Sequence, residues 1–246
     1  MKKIMFNDKF GLTKAVLEGR KTMTRRMIKQ PPYENFDIAF PLPDVAFDEN
    51  HPLCGAFCWV NKDNPDEHTE WIRPQYKIGE EVAVAQAYRQ IFSDEFFTSE
   101  QENGLIKEVE KLSAGCTNKM FVKAELMPHR IRITNIGLEK LQDISDEDCL
   151  KEGVVECVRE IGGTKVKKYY PSQRHADVTR KIGWGIVDDS PKAAFARLID
   201  WVSGDGTWEK NPYVFVYEFE LVNRRKQDEQ EIKKFRSESV EEIKRS

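Results

Sequence analysis

The sequence predicts an α+β protein, a small and partly open β-barrel with peripheral helices and long loop insertions. Short segments of strand character recur along the chain, and two or three segments carry apolar residues at helical spacing. Three polar, proline-rich or basic stretches separate them. An ordinary α+β sandwich fits the same pattern, because composition does not separate the two architectures.

Residues 3–6 form a first apolar strand. Asn7 or Asp8 then caps a helix in which Phe10, Leu12, Ala15, Val16 and Leu17 recur at helical spacing, and Gly19 supplies the stop. Residues 22–28 read as a strand. Residues 30–75 hold Pro31, Pro32, Pro41, Pro43, Pro52, Pro65 and Pro74, the mark of a long ordered insertion. Gly79 turns the chain into a strand carrying Val82 and Val84. A second polar insertion covers about 93–118, and residues 120–124 and 130–136 look like two further strands. Ser145 and Asp148 then form a capping box, with Ile144 against Cys149 as its hydrophobic staple. That short helix ends at Gly153 and leaves Glu152 at its C-terminus.

A third insertion, about 155–185, is basic and aromatic. Ser190-Pro191 opens the best helix, with Phe195, Leu198, Ile199 and Val202 on one stripe and Gly204 at its end. Pro212 starts a strand in which Phe215, Tyr217, Phe219 and Leu221 share a face. Residues 1–222 therefore read as one domain with three insertions, and 223–246 as a charged tail, a solvated helix or disordered.

A chain of 246 residues can bury a core unaided. Hydrophobic residues at 39% and charged residues at 33% describe a polar, soluble protein, and no apolar run reaches a membrane span. The N-terminus meets an acid too early for a secretory signal, so the expected location is cytoplasmic. The net charge of −3 does not announce nucleic-acid binding in bulk, so such binding needs a local patch. Arg20, Lys21, Arg25, Arg26 and Lys29 form one candidate; Lys165, Lys167, Lys168, Arg174, Arg180 and Lys181 form another. Five cysteines, an odd number, argue against a disulfide framework. His51, Cys54, Cys58 and His68 could be read as a loose zinc site, but their spacing fits no standard zinc pattern. No metal or other cofactor is expected.

The most informative segment is Gly19-Arg20-Lys21-Thr22-Met23-Thr24-Arg25-Arg26, which packs four cations and two threonine hydroxyls directly after a helix. Such a run can hold an anion, polarise a carbonyl or read a nucleotide. It resembles the opening signature of ASCH domains, whose fold is the PUA-like β-barrel. Three later segments resemble that family in the same order. Ile78-Gly79-Glu80-Glu81-Val82-Ala83-Val84 is similar to its Gly-Asp strand. The stretch 131–150, with Leu-Gln-Asp-Ile-Ser-Asp-Glu-Asp at its centre, is similar to its strand-to-helix step. Asn211-Pro212-Tyr213-Val214-Phe215-Val216-Tyr217-Glu218-Phe219 is similar to its closing strand. The arrangement is most similar to ASCH proteins of bacteriophages and mobile elements.

The resemblance implies RNA binding, common among PUA-like domains, or the chemistry of acetylcytidine amidohydrolase. In that enzyme a lysine, a threonine and a later glutamate work together, and the matching positions are Lys21, Thr24 and Glu152. Amide cleavage needs a nucleophile or activated water, a proton carrier and charge for the oxyanion. Like charges around Lys21 are expected to lower its pKa, and a helix C-terminus is an unfavourable place for the Glu152 carboxylate. In a regular strand positions 21 and 24 face opposite ways, so both line one site only if Lys21 lies in the preceding turn or a bulge intervenes. Arg20, Arg25, Arg26 and Trp184 are the expected ligand contacts, Arg25 favouring a phosphorylated ligand and Trp184 a stacked base.

The expected function is binding of RNA or a nucleotide in a cleft between the segment 19–26 and Glu152. The alternatives are a metal-independent amidohydrolase acting on an N-acylated nucleoside, and a non-catalytic phage accessory scaffold. Metal-dependent RNA cleavage ranks below these, since no carboxylate cluster is evident. The sequence does not determine an oligomeric state.

Overall fold

The computed structural model describes residues 1–41, 51, 53, 55–87, 90, 115, 117–161, 163–183 and 185–222. In chain order the elements are β1 (Lys3–Ile4), α1 (Leu12–Leu17), β2 (Met23–Met27), β3 (Phe36–Ala39), β4 (Cys58–Asn61), β5 (Glu81–Val84) and β6 (Arg130–Lys140). They continue with α2 (Asp146–Lys151), β7 (Val155–Ile161), β8 (Thr164–Tyr170), α3 (Gln173–Ile182), α4 (Pro191–Ser203), α5 (Thr207–Lys210) and β9 (Tyr213–Val222). The protein is mixed α+β. Five strands pair in the order β1-β5-β6-β9-β2, and β3-β4 and β7-β8 form separate antiparallel hairpins. Among the described residues no closed barrel forms.

The chain clusters into two compact units. The first comprises Met1–Gly19, Glu81–Arg132 and the chain from Glu220. Here β1 runs parallel to β5, and β5 pairs antiparallel with the start of β6. The expected first helix is divided. Asn7 caps a short 3-10 turn, Asp8–Phe10, and Gly11 at φ 71° resets the chain before α1. Only glycine enters that left-handed conformation at no steric cost.

The strand expected at 120–124 does not form; two 3-10 turns, Lys119–Phe121 and Ala124–Leu126, stand there instead. The backbone partners explain the difference. The Asn118 side chain accepts from the Met120 amide at 3.0 Å, and the carbonyls of Lys119, Met120 and Val122 converge on the Lys3 ammonium at 2.6–3.3 Å. Carbonyls gathered on one cation cannot alternate along a ladder.

The second unit comprises Arg20–Glu80 and Ile133–Phe219. Its centre is β9, whose residues Val214 to Tyr217 are all buried. Val214 and Val216 join Met23, Leu141, Ile144, Cys149, Val154, Ala194 and Phe195 in one core. Phe215 and Tyr217 face the other way, where Phe57, Trp59 and Tyr76 pack edge-on or tilted at centroid separations of 5.0–6.1 Å. Strand β9 is thus sandwiched, and its expected single apolar face is one of two.

The Ser145 hydroxyl caps α2 by accepting from the Asp148 amide at 3.0 Å, and Ile144 and Cys149 are both fully buried, as the staple requires. Ser190 caps α4 in the same way. The α4 stripe buries Phe195 and Leu198, but Val202, in its last turn, is 38% exposed. The basic insertion at 155–185 is itself ordered as β7, β8 and α3. Of the other insertions, residues 42–50 and 91–114 lie outside the described residues, as does the tail 223–246.

His175 on α3 stacks on Trp201 of α4 at 4.7 Å, and its Nδ1 lies 2.9 Å from the Ser172 hydroxyl. Burial, assisted by Arg174, holds its pKa below the ordinary 6.5. The unfolded chain therefore takes up this proton first, and the His175 contribution to stability is lost as pH falls from 6.5 toward the folded value. Urea midpoints measured between pH 7.5 and 5.5 should fall less steeply for His175→Phe than for the wild type; equal slopes would refute the assignment.

Candidate functional site

The site is assembled by three local decisions of the chain, all within the second unit. First, the residues after Gly19 form a turn before β2, and the Thr22 amide donates to the Lys151 carbonyl at 3.0 Å. Lys21 therefore stands in the segment ahead of β2, one of the two arrangements that would let it share a site with Thr24. Second, β2 pairs antiparallel with β9, with Arg25 opposite Val216 and Thr24 opposite Tyr217. Third, α2 ends at Lys151, so that Glu152 is its C-cap.

These decisions bring Lys21 and Glu152 together. The Lys21 Nζ donates to Glu152 Oε2 at 2.6 Å, to the Glu152 carbonyl at 2.8 Å and to the Met23 carbonyl at 2.7 Å. Three acceptors at these distances match the three N–H donors of an ammonium, so the geometry is that of a charged lysine. The cation also covers the carbonyl end of α2, where a positive charge is favourable. Both side chains are closed off from water, Lys21 at 2% exposure and Glu152 at 6%.

Arg25 completes the cluster from the same face of β2 as Met23. Its Nε donates to Glu139 at 2.9 Å, its Nη1 to Glu152 Oε1 at 3.2 Å, and its Nη2 stands 3.7 Å from Asp148. Nη2 is also 2.8 Å from Glu139 Oε1, close enough for ion pairing but off the direction of a hydrogen bond. Two buried cations thus face three carboxylates, of which Glu152 is buried and Glu139 and Asp148 are half-exposed. Glu139 and Asp148 were not foreseen as members. Asp148 was legible in principle, since it precedes Glu152 by one helical turn; Glu139 lies beyond the point where the sequence pattern of β6 stops alternating.

Burial is the main reason that the Lys21 pKa lies below the usual 10.5, and the attraction and hydrogen bond of Glu152 oppose it. Repulsion by Arg26 and Arg25 acts in the expected direction but ranks below both. Desolvation, more than the neighbouring cations, perturbs this lysine.

Thr24 is buried on the opposite face of β2, with Arg26 beside it in the alternation. Arg26 is half-buried near Tyr76, Tyr217 and Glu152, and burial draws its pKa down. The Tyr76 hydroxyl is pushed up to about 12, again chiefly by burial. Arg20 is half-exposed in the turn. Trp184 lies outside the described residues. Trp208 and Tyr213 are packing residues: Trp208 contacts Phe195 and Tyr213 contacts Trp59.

The loose zinc constellation is not assembled. Cys54 is outside the described residues, and among the described residues no three His, Cys, Asp or Glu side chains converge as metal ligands do. His51 Nδ1 accepts from the Leu53 amide, and Cys58 is buried in β4. No helix among the described residues is long and apolar enough to cross a membrane.

Comparison with protein-family models, curated proteins and solved structures finds no match to this chain.

Removing one member of a buried ion pair strands the other, at a cost of about 3–5 kcal/mol. Glu152→Gln strands Lys21 and removes one of the partners of Arg25, so a loss in that range is expected. Lys21→Met leaves Glu152 its contact with Arg25 and should cost less, about 1–3 kcal/mol. Urea unfolding at pH 7 checks the order; equal losses, or a neutral Glu152→Gln, would contradict it.

Proposed function

We propose that this chain is a PUA-like protein of the ASCH type that binds RNA or a nucleotide through the segment 19–26, with Lys21 and Glu152 at the base of the site. The observation that carries the reading is the contact of Lys21 with Glu152 at 2.6 Å across 131 positions of sequence. A solvated basic strand end would have no need of such a partner. The resemblance of four segments, in order, to ASCH domains supports the same assignment. Arg25 is engaged by Glu139 and Glu152 and fully buried, whereas Arg20 and Arg26 retain partial exposure and are the cations that would meet a ligand phosphate.

A second reading is a metal-independent amidohydrolase acting on an N-acylated nucleoside such as acetylcytidine. Glu152 would take a proton from the attacking water and deliver it to the leaving exocyclic nitrogen as the C–N bond breaks. The Lys21 ammonium would stabilise the oxyanion. The three acceptors around Nζ favour this charged role over a neutral lysine nucleophile. They also rank binding ahead of catalysis, because a fully coordinated ammonium is already committed to holding the fold.

Titration with single-stranded RNA and with nucleotides at increasing salt separates these readings. Binding predicts affinity that falls steeply with salt and drops at least tenfold in the pair Arg20→Ala, Arg26→Ala. Release of acetate from acetylcytidine, lost in Glu152→Gln that remains folded, would establish the second reading. Neither binding nor release would leave the accessory scaffold and overturn both.

A further inference from the structure

We infer that the β7–β8 hairpin and α3 form a second binding site, one that takes a terminal phosphate group. A pocket of about 420 Å³ is lined by residues 156–159 of β7, Tyr170 of β8, and Thr179 and Arg180 of α3. That volume is typical of small-molecule sites, which run roughly from 300 to 1,000 Å³. None of these residues belongs to the segment 19–26 or to its carboxylate partners.

The ligand chemistry follows from two guanidinium groups that reach the pocket from different elements. Arg159 is positioned in advance: it donates to the Tyr170 hydroxyl at 2.7 Å and lies over the Tyr170 ring with its Cζ 5.7 Å from the centroid. These contacts use one part of a rigid five-donor fork and stop it rotating. The rest of the fork suits bidentate contact with a phosphate. Arg180 adds a second cation from the exposed face of α3, where its pairing with Asp177 at 3.3 Å is a solvated surface contact of the weak kind.

Glu156, also in the lining, is the one carboxylate there, and its charge is met elsewhere. Lys167 stands 3.1 Å from it, and the Tyr169 hydroxyl donates to it at 3.4 Å. Tyr170 and Thr179, both buried, complete the lining. Gly185 packs so closely on Thr179 that any side chain there would collide with its hydroxyl. The wider field agrees. Residues 155–185 carry seven lysines and arginines against three acidic residues, in a chain whose net charge is −3. Local positive potential of this kind concentrates anionic ligands.

A phosphate end can come from a small metabolite or from a nucleic-acid terminus, and calorimetric titration of the full chain distinguishes them. The probes are inorganic phosphate, adenosine monophosphate, adenosine, and a short single-stranded RNA with either a 5′-phosphate or a 5′-hydroxyl. The expected result is binding of the phosphorylated member of a pair and not of its unphosphorylated counterpart, with inorganic phosphate competing. A preference for the mononucleotide or for the phosphorylated RNA identifies the source. Arg180→Gln, on the surface, should weaken binding at least tenfold, and Arg159→Lys, which keeps the charge but loses the fork, should do likewise. The pair Arg20→Ala, Arg26→Ala should leave it unchanged, which separates this site from the one proposed above. Equal affinity for phosphorylated and unphosphorylated probes, no binding of any phosphate, or an unaltered Arg180→Gln would overturn the inference.

Discussion

A lysine withdrawn from water and held by one glutamate is the constraint around which the second unit is arranged. Taking an ammonium and a carboxylate out of solvent costs several kcal/mol each, and only close geometry with every donor satisfied recovers it. Lys21 meets that condition because it has two carbonyls as well as the Glu152 carboxylate. The turn after α1, the start of β2 and the end of α2 are therefore not independent. Moving any one of them strands a charge in the core.

Strand β2 converts this constraint into a division of labour between its two faces. Met23 and Arg25 look toward α2 and the aliphatic core, and Arg25 extends the ion cluster to Glu139 and Asp148. Thr24 and Arg26 look toward the aromatic layer of Tyr76, Tyr217 and Phe215. A run of basic residues that reads as one patch in sequence is thus divided by the pleat into a balanced, buried arginine and a half-buried one.

Much of the local structure was legible because it depends on neighbouring residues. The caps Ser145 and Ser190, the glycine stops and the apolar strand runs of β5 and β9 all act within a few positions of themselves. What the sequence concealed depends on distant partners. The segment 120–124 has strand character, but the Lys3 ammonium collects its carbonyls. Leu221 was expected on the buried face of β9 and is only half-buried near the strand end. For the site, the pairing of Lys21 with Glu152 was expected from a resemblance, and Glu139 was not expected at all, since nothing local marks a glutamate near the end of a long strand as a partner for Arg25. The cause of the lysine's lowered pKa was likewise misassigned from sequence: charge density is visible there, and burial is not.

The most direct test of the central claim is a double-mutant cycle on Lys21→Met and Glu152→Gln, with unfolding measured at low salt and in 1 M salt. A buried pair in direct contact predicts a coupling within the roughly 0.5–3 kcal/mol seen for interacting residues, and in its upper half. That coupling should persist at high salt, because ions do not screen a closed pair as they do an exposed one. Additive single losses, or a coupling that vanishes in salt, would contradict the account and return Lys21 to the solvated surface of the chain.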